Sequence, residues 1–234
     1  MFFYTFCSRI VLNPKLMFKG VYFYKVSEIG LVVVRGLTDD FYHLVPNREG
    51  DVDDFIRSHL RKGSVFVDVG ANVGYYTLVA SKLLGSYGRV YAIEPVPSTA
   101  IILKANVKLN DCQNVFVYDV AAWSSEGEVT LKIPESAYDY ASAVIGNNRG
   151  RKVTVKATTL NEILQDTWVD LVKIDVEGAE HEVLMGANKS IDKIKYIVIE
   201  LTRNVEEVLR LLTSHGFKVK RAGLPAHVIA YRGR

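Results

Sequence analysis

Within seven residues, Asp68-Val69-Gly70-Ala71-Asn72-Val73-Gly74 sets a carboxylate, two glycines and a side-chain amide at the end of the apolar run Val65–Val69. A strand that breaks into a glycine turn before a helix brings backbone N–H groups close to a ligand. The acid precedes the first glycine, and the spacing lacks the G-x-G-x-x-G triple of a pyrophosphate turn. An Asp there can organise an ammonium group directly or through water, which no diphosphate needs. The stretch therefore favours a ligand with a cationic amino-acid end. Glu94 lies 24 positions after Gly70 and ends the next apolar run, Arg89–Ile93. A carboxylate in that place accepts hydrogen bonds from both ribose hydroxyls.

A second acidic block is Lys173-Ile174-Asp175-Val176-Glu177-Gly178-Ala179-Glu180. Lys173 and Asp175 are two apart on a strand and share one face. Asp175 falls at the carboxyl end, where ligands of parallel sheets sit. Asp175 and Glu177 read as site carboxylates, and Glu180 and Glu182 as capping or solvated ones. Lys173 in an apolar strand must be paired if buried, and Glu200, ending the adjacent strand, is a candidate partner. His181, one turn into the following helix, is a candidate base. His43, His59, His181, His215 and His227 show no metal-ligand spacing with one another, and no metal site is expected from them.

These residues need a scaffold that brings strand ends together. From Ser64 onward the pattern alternates strand and helix. Strand Val65–Val69 leads to helix Tyr75–Leu84, and strand Arg89–Ile93 to helix Ser98–Leu109, with Ser98 as N-cap. Strand Val115–Val120 precedes a hairpin over Trp123–Ile133 that turns at Glu126-Gly127. A polar loop, Pro134–Gly150, carries Tyr138, Tyr140 and Arg149 and is the candidate lid over an acceptor. Then come strand Lys152–Ala157, helix Leu160–Leu164, strand Leu171–Ile174, helix Ala179–Met185, strand Tyr196–Glu200 and helix Val205–His215. The closing pair, Phe217–Arg221 and His227–Tyr231, has no helix between its strands, so one sheet strand must run antiparallel. The expected fold is α/β, a mostly parallel sheet covered on both faces. Residues 1–63 read as an appendage. Its strands are Val21–Val26, Leu31–Arg35 and Phe41–Val45, with a hairpin loop at Gly36–Asp40, followed by helix Asp51–Leu60. Residues 64–234 form the main domain.

The charge balance is mild, with 29 basic and 26 acidic residues, so no nucleic-acid footprint is expected. Two cysteines, Cys7 and Cys112, give neither a metal spacing nor a disulfide framework, which points to a reducing cytoplasm. The aromatic N-terminus, residues 1–20, is interrupted by Arg9, Asn13, Pro14 and Lys15, too soon for a transmembrane segment. It reads as a segment folded onto the body of the domain, with a peripheral membrane contact or a homodimer contact as the alternatives.

Taken together, Asp68–Thr77, Glu94-Pro95-Val96-Pro97, Asn106–Asn110 and Lys173–Glu180 resemble the FkbM family of S-adenosylmethionine-dependent methyltransferases over residues 49–202. The resemblance implies the class I methyltransferase fold, Rossmann-like, with a seven-stranded sheet and an antiparallel last strand. It implies S-adenosyl-L-methionine as cofactor and a hydroxyl on a sugar, glycan or other small molecule as acceptor. Carried over by position, Asp68, Gly70, Ala71, Asn72 and Gly74 hold the methionine end and Glu94 the ribose. Asp119 would lie near the adenine with Ala121 among the cofactor contacts, the alternative being that Asp119-Val120-Ala121 is a strand terminus with no ligand contact.

Methyl transfer from a sulfonium is a direct displacement, so alignment supplies much of the rate and a base on the hydroxyl adds to it. Asp175, helped by Glu177 or His181, is expected to take that proton or to bind a metal that lowers the hydroxyl pKa. Two other classes stay open. One is an RNA or protein methyltransferase, for which Arg149-Gly150-Arg151-Lys152 speaks, although no N-P-P-Y-like block follows residues 171–174. The other is a non-catalytic S-adenosylmethionine-binding module, against which Asp68, Glu94 and Asp175 argue.

Overall fold

Apolar runs with no polar alternation need cover on both sides, and the fold supplies it. The protein is described by a computed structural model that covers residues 20–46, 48–133, 151–222 and 226–233. The chain begins with β1 (Val21–Val26), β2 (Gly30–Arg35), α1 (Asp40–His43) and α2 (Gly50–His59). It continues with β3 (Val65–Val69), α3 (Tyr75–Leu84), β4 (Arg89–Ile93), α4 (Pro97–Leu109) and β5 (Val115–Tyr118). Next are β6 (Ala121–Ala122), β7 (Gly127–Ile133), β8 (Arg151–Thr158) and α5 (Leu160–Leu164). The last elements are β9 (Val169–Ile174), α6 (Glu180–Met185), β10 (Ile194–Glu200), α7 (Val205–Ser214), β11 (Lys218–Arg221) and β12 (His227–Tyr231).

The main sheet has seven strands in the order β11-β12-β10-β9-β3-β4-β5. β9, β10, β3, β4 and β5 run parallel, while β12 is antiparallel to both β10 and β11. That is the arrangement the closing pair of strands demanded. The chain leaves β3 toward β4 and later returns to its other side as β9. This reversal opens a crevice at the carboxyl ends of β3 and β9.

The alternation of side chains decides what faces what. Val67, Val69, Val172, Ile174, Ile197 and Ile199 pack with Leu160 of α5, Val183 of α6 and Leu212 of α7. Phe66, Leu171, Val198 and Ile229 face the other way, into a core with Ile56 of α2, Leu78 of α3 and Val32 and Val34 of β2. Each fully buried aliphatic or aromatic side chain contributes about 1.5–3 kcal/mol relative to exposure. The N-terminal hairpin therefore shares a core with the sheet. Asn106 of α4 ties it down: its Oδ1 accepts the Val33 N–H at 2.6 Å, and its Nδ2 donates to Val33 O and Val73 O.

Four local readings are corrected. The hairpin joins β1 directly to β2, and residues 41–43, expected as part of a strand, lie in helix α1. Asp40 explains it: its carboxylate accepts the Arg35 N–H and the Arg35 guanidinium, while Thr38 Oγ1 accepts the Asp40 N–H. These side-chain bonds turn the chain before a third strand can pair. Residues 123–133 do not fold back on themselves, because β8 pairs β6 in parallel and β7 antiparallel, giving the order β6-β8-β7. The strand expected over Val115–Val120 ends at Tyr118, and β6 leaves for that second sheet. Helix α4 starts at Pro97, not Ser98: Val96 is its N-cap, and proline suits the first helical position.

Candidate functional site

A cleft of about 220 Å³ opens at the carboxyl ends of β3, β4 and β9, where the strand order reverses. Its floor is the glycine turn. Gly70 has φ +78°, and a Cβ there would lie 1.8 Å from the Asp175 carbonyl oxygen. Only glycine lets the two strand ends approach so closely. Asn72 also adopts positive φ, at 50°, and its Oδ1 accepts the Val73 N–H at 2.7 Å.

Glu94 stands at one end of the cleft. Its Oε2 accepts the Asn72 N–H at 3.0 Å and its Oε1 the Val96 N–H at 2.9 Å. Burial pushes its carboxyl up to about 7, although both N–H donors and Arg35 pull the other way. Each oxygen keeps a second lone pair for a donor from a ligand. Beside it, Ile93, Val96, Ala121, Leu131 and Ile133 form an apolar wall, with Trp123 at the margin. A buried carboxylate next to an apolar slot matches a nucleoside, diol at the acid and base in the slot.

Asp175 and Glu177 stand at the other end. Asp175 Oδ2 accepts from Lys173 Nζ at 3.1 Å. Burial alone would raise the Asp175 carboxyl, but Lys173, with Arg48, holds it below its ordinary value. Burial and the neighbouring charges of Asp175 and Glu180 push Glu177 up to about 7. One member of the pair is thus kept ionised while the other titrates near neutrality, a separation typical of groups with different jobs.

Behind Asp175 lies a charge chain on the α2 and α3 face of the sheet. Lys173 pairs in register with Asp68 of β3, and Asp68 Oδ2 accepts from Thr77 Oγ1 at 2.6 Å. Burial opposes the Lys173 ammonium, but Asp175, Asp68 and Glu49 keep it protonated, above its ordinary value. Burial raises the Asp68 carboxyl despite Lys173 and Thr77. The Lys173 ammonium also sits 5.2 Å from the ring centroid of Tyr76, whose hydroxyl donates to Glu49 Oε2. Glu200, expected as the partner of Lys173, instead stands 3.6 Å from His227 Nε2.

Of the residues singled out in the sequence, Gly70, Asn72, Glu94, Ala121, Asp175 and Glu177 meet in the cleft. Asp68, Ala71, Gly74, Asp119 and His181 do not line it. Asp68 shares parity with Phe66, so it points under α3 rather than into the crevice. Gly74 packs its bare Cα toward Leu103. Asp119 is mostly exposed and pairs with Lys104 at 3.0 Å. Glu180 is fully buried and accepts the Gly178 N–H and the Thr202 hydroxyl, holding the turn after β9. The proposed lid, with Tyr138, Tyr140 and Arg149, lies outside the described residues. Sequence reasoning missed Arg35, Asp39 and His43, which reach the cleft from the N-terminal segment. Their signal was faint: Asp39 and His43 stand four apart, a spacing that matters only on a helix.

The seven-stranded sheet, with its antiparallel β12 and a cleft at its switch point, has the class I methyltransferase fold. A profile of the methyltransferase FkbM domain matches residues 68–219, and the chain belongs to that family. It is 26% identical over 170 residues to hexuronic acid methyltransferase AglP of Haloferax volcanii, spanning 70% of this chain and 68% of that protein. It is 27% identical over 216 residues to 31-O-demethyl-FK506 methyltransferase FkbM of Streptomyces tacrolimicus, spanning 74% and 82%. Among solved structures, methyltransferase FkbM from Methylobacillus flagellatus superimposes with a TM-score of 0.54 at 17% identity, over 81% of this chain and 47% of that one. A Thermotoga maritima O-methyltransferase gives 0.51 at 15%, over 91% and 78%. At those identities the similarity is one of fold.

Proposed function

We propose that the protein transfers the methyl group of S-adenosyl-L-methionine to a hydroxyl of a sugar, glycan or other small molecule. One observation carries this reading: a single cleft holds a buried carboxylate beside an apolar slot at one end and an ionised aspartate at the other. Glu94 accepts the ribose hydroxyls, the β6–β7 wall covers the adenine, and the turn Gly70–Asn72 lies under the methionine end. Asp68 serves this end indirectly, through Thr77 and Lys173, since it does not line the cleft. The bound sulfonium supplies an already activated methyl group. The chain's own work is alignment and proton handling. Asp175 accepts a hydrogen bond from a hydroxyl beside the reacting one and so points the acceptor oxygen at the methyl, and positioning of this kind supplies about 7–11 kcal/mol. Glu177 offers a second acceptor for a neighbouring hydroxyl.

Two relatives carry names that fit such acceptors, a hexuronic acid and 31-O-demethyl-FK506. The test incubates the protein with methyl-labelled S-adenosylmethionine and a panel of hexuronic acids, neutral sugars and macrolides. Label in an alkali-stable methyl ether supports the reading. Label only in RNA or protein, from parallel arms, overturns it.

A further inference from the structure

A second ionisable pair faces the acceptor end of the cleft from the N-terminal segment. Asp39 and His43 line it together with Asp175 and Glu177. His43 is 8% exposed, and its Nε2 lies 3.3 Å from Asp39 Oδ2. Helix α1 sets the two side chains one turn apart, on one face. All four side chains line the same cleft, so the two pairs confront each other. Around the ring stand Arg35 from β2, Tyr42 beside it, Arg48 ahead of α2, and Asp175 and Glu177 after β9.

This juxtaposition divides the labour. Asp175 is pinned by Lys173 and held below its ordinary range, which makes it a good hydrogen-bond acceptor and a poor proton sink. An imidazole backed by a carboxylate is the better sink, because the carboxylate fixes the ring and stabilises its cation.

We propose that His43, oriented by Asp39, takes the proton of the acceptor hydroxyl. The proposal rests on reading the cleft as a hydroxyl methylation site. In the step, the acceptor oxygen forms its bond to the methyl carbon, and the sulfur–methyl bond breaks with its electron pair going to sulfur. The hydroxyl proton passes to the His43 ring and then to solvent. Asp39 and Asp175 flank the imidazolium so formed. Asp39 is a positioning residue, acting through His43.

Two measurements test it. The first needs no acceptor. Side-chain ¹⁵N shifts report which ring nitrogen carries hydrogen, and Nε2 is expected to do so in the wild type, with the preference lost in Asp39→Asn. A wild-type ring protonated only on Nδ1 overturns the proposal. The second uses labelled S-adenosylmethionine and the acceptor methylated best in the panel above. His43→Gln is expected to lower kcat by about 10²–10⁴-fold, with cofactor affinity within threefold of wild type. In His43→Ala, free imidazole should restore part of the rate. His43→Gln turning over within threefold of wild type overturns the dyad. A wild type that binds no S-adenosylmethionine overturns the proposed function instead, and the ¹⁵N result still decides whether Asp39 orients His43.

Discussion

Glu94 gives the most quantitative prediction, because its burial and its ligand role pull in opposite directions. In the free protein its carboxyl sits at about 7 against an ordinary value of 4.5. Ribose hydroxyls are donors, so they favour the ionised form and draw the pKa back down. If the complex restores the ordinary value, the coupling reaches about 3 kcal/mol. At pH 6 the free protein then carries about 0.9 proton on Glu94 and the complex almost none. Binding should release about 0.9 proton at pH 6 and about 0.1 at pH 8. Affinity should be about tenfold weaker at pH 6 than at pH 8, and about seventyfold weaker at pH 5. The sign for folding is opposite. The raised pKa stabilises the free protein fully below 4.5, and that contribution is lost as pH rises to about 7. Titration calorimetry in two buffers of different ionisation enthalpy reads the proton count directly. Glu94→Gln should abolish the pH dependence and weaken binding at pH 8 by about 1.5–3 kcal/mol, the worth of a charged hydrogen bond. Heats that do not depend on buffer at pH 6, with a constant Kd from pH 5 to 8, would refute the reasoning.

The other predictions concern the acceptor end and the strand crossing. Asp175→Asn should lower kcat about 100-fold, a fraction of what alignment can supply, while cofactor Kd stays within threefold; an unchanged kcat would remove Asp175 from the chemistry. Lys173→Met leaves Asp68 and Asp175 without their shared ammonium and should cost about 3–5 kcal/mol at pH 8 by urea denaturation. Without the ammonium both carboxyls move up, so the deficit should shrink toward pH 4, and Asp68→Asn should recover part of it; equal midpoints at both pH values would contradict this. Gly70→Ala combines positive φ with overlap on the Asp175 carbonyl and should cost about 2–5 kcal/mol. A loss within about 0.5 kcal/mol would show that the strand ends can separate freely.

How much was legible depended on range. The core strands, the glycine turn and the acidic block are local patterns, and hydrophobic periodicity exposed them. β3, α3 and β4 start and stop where the pattern does, because Gly74, Gly85 and Pro95 mark their ends. The antiparallel β12 followed from a missing helix. Elsewhere a side chain outvoted the pattern. Asp40 capturing Arg35 turned an apparent strand into α1, and the same turn delivered Asp39 and His43 to the cleft. The three-stranded sheet was hidden because β8, distant in sequence, enters between β6 and β7. Asp68 was within reach of sequence reasoning. Its parity with Phe66 places it on the α3 face, with Lys173, rather than in the crevice.

The central claim is that one cleft places the nucleoside at Glu94 and the reacting methyl at Asp175. A crystal structure with S-adenosylhomocysteine tests it most directly. The account predicts both ribose hydroxyls within hydrogen-bond distance of the Glu94 carboxylate, adenine against Leu131 and Ile133, and the sulfur at the Asp175 end. A ligand seated elsewhere, or one whose ribose is held by another residue with Glu94 bonded only to Asn72 and Val96, would contradict it.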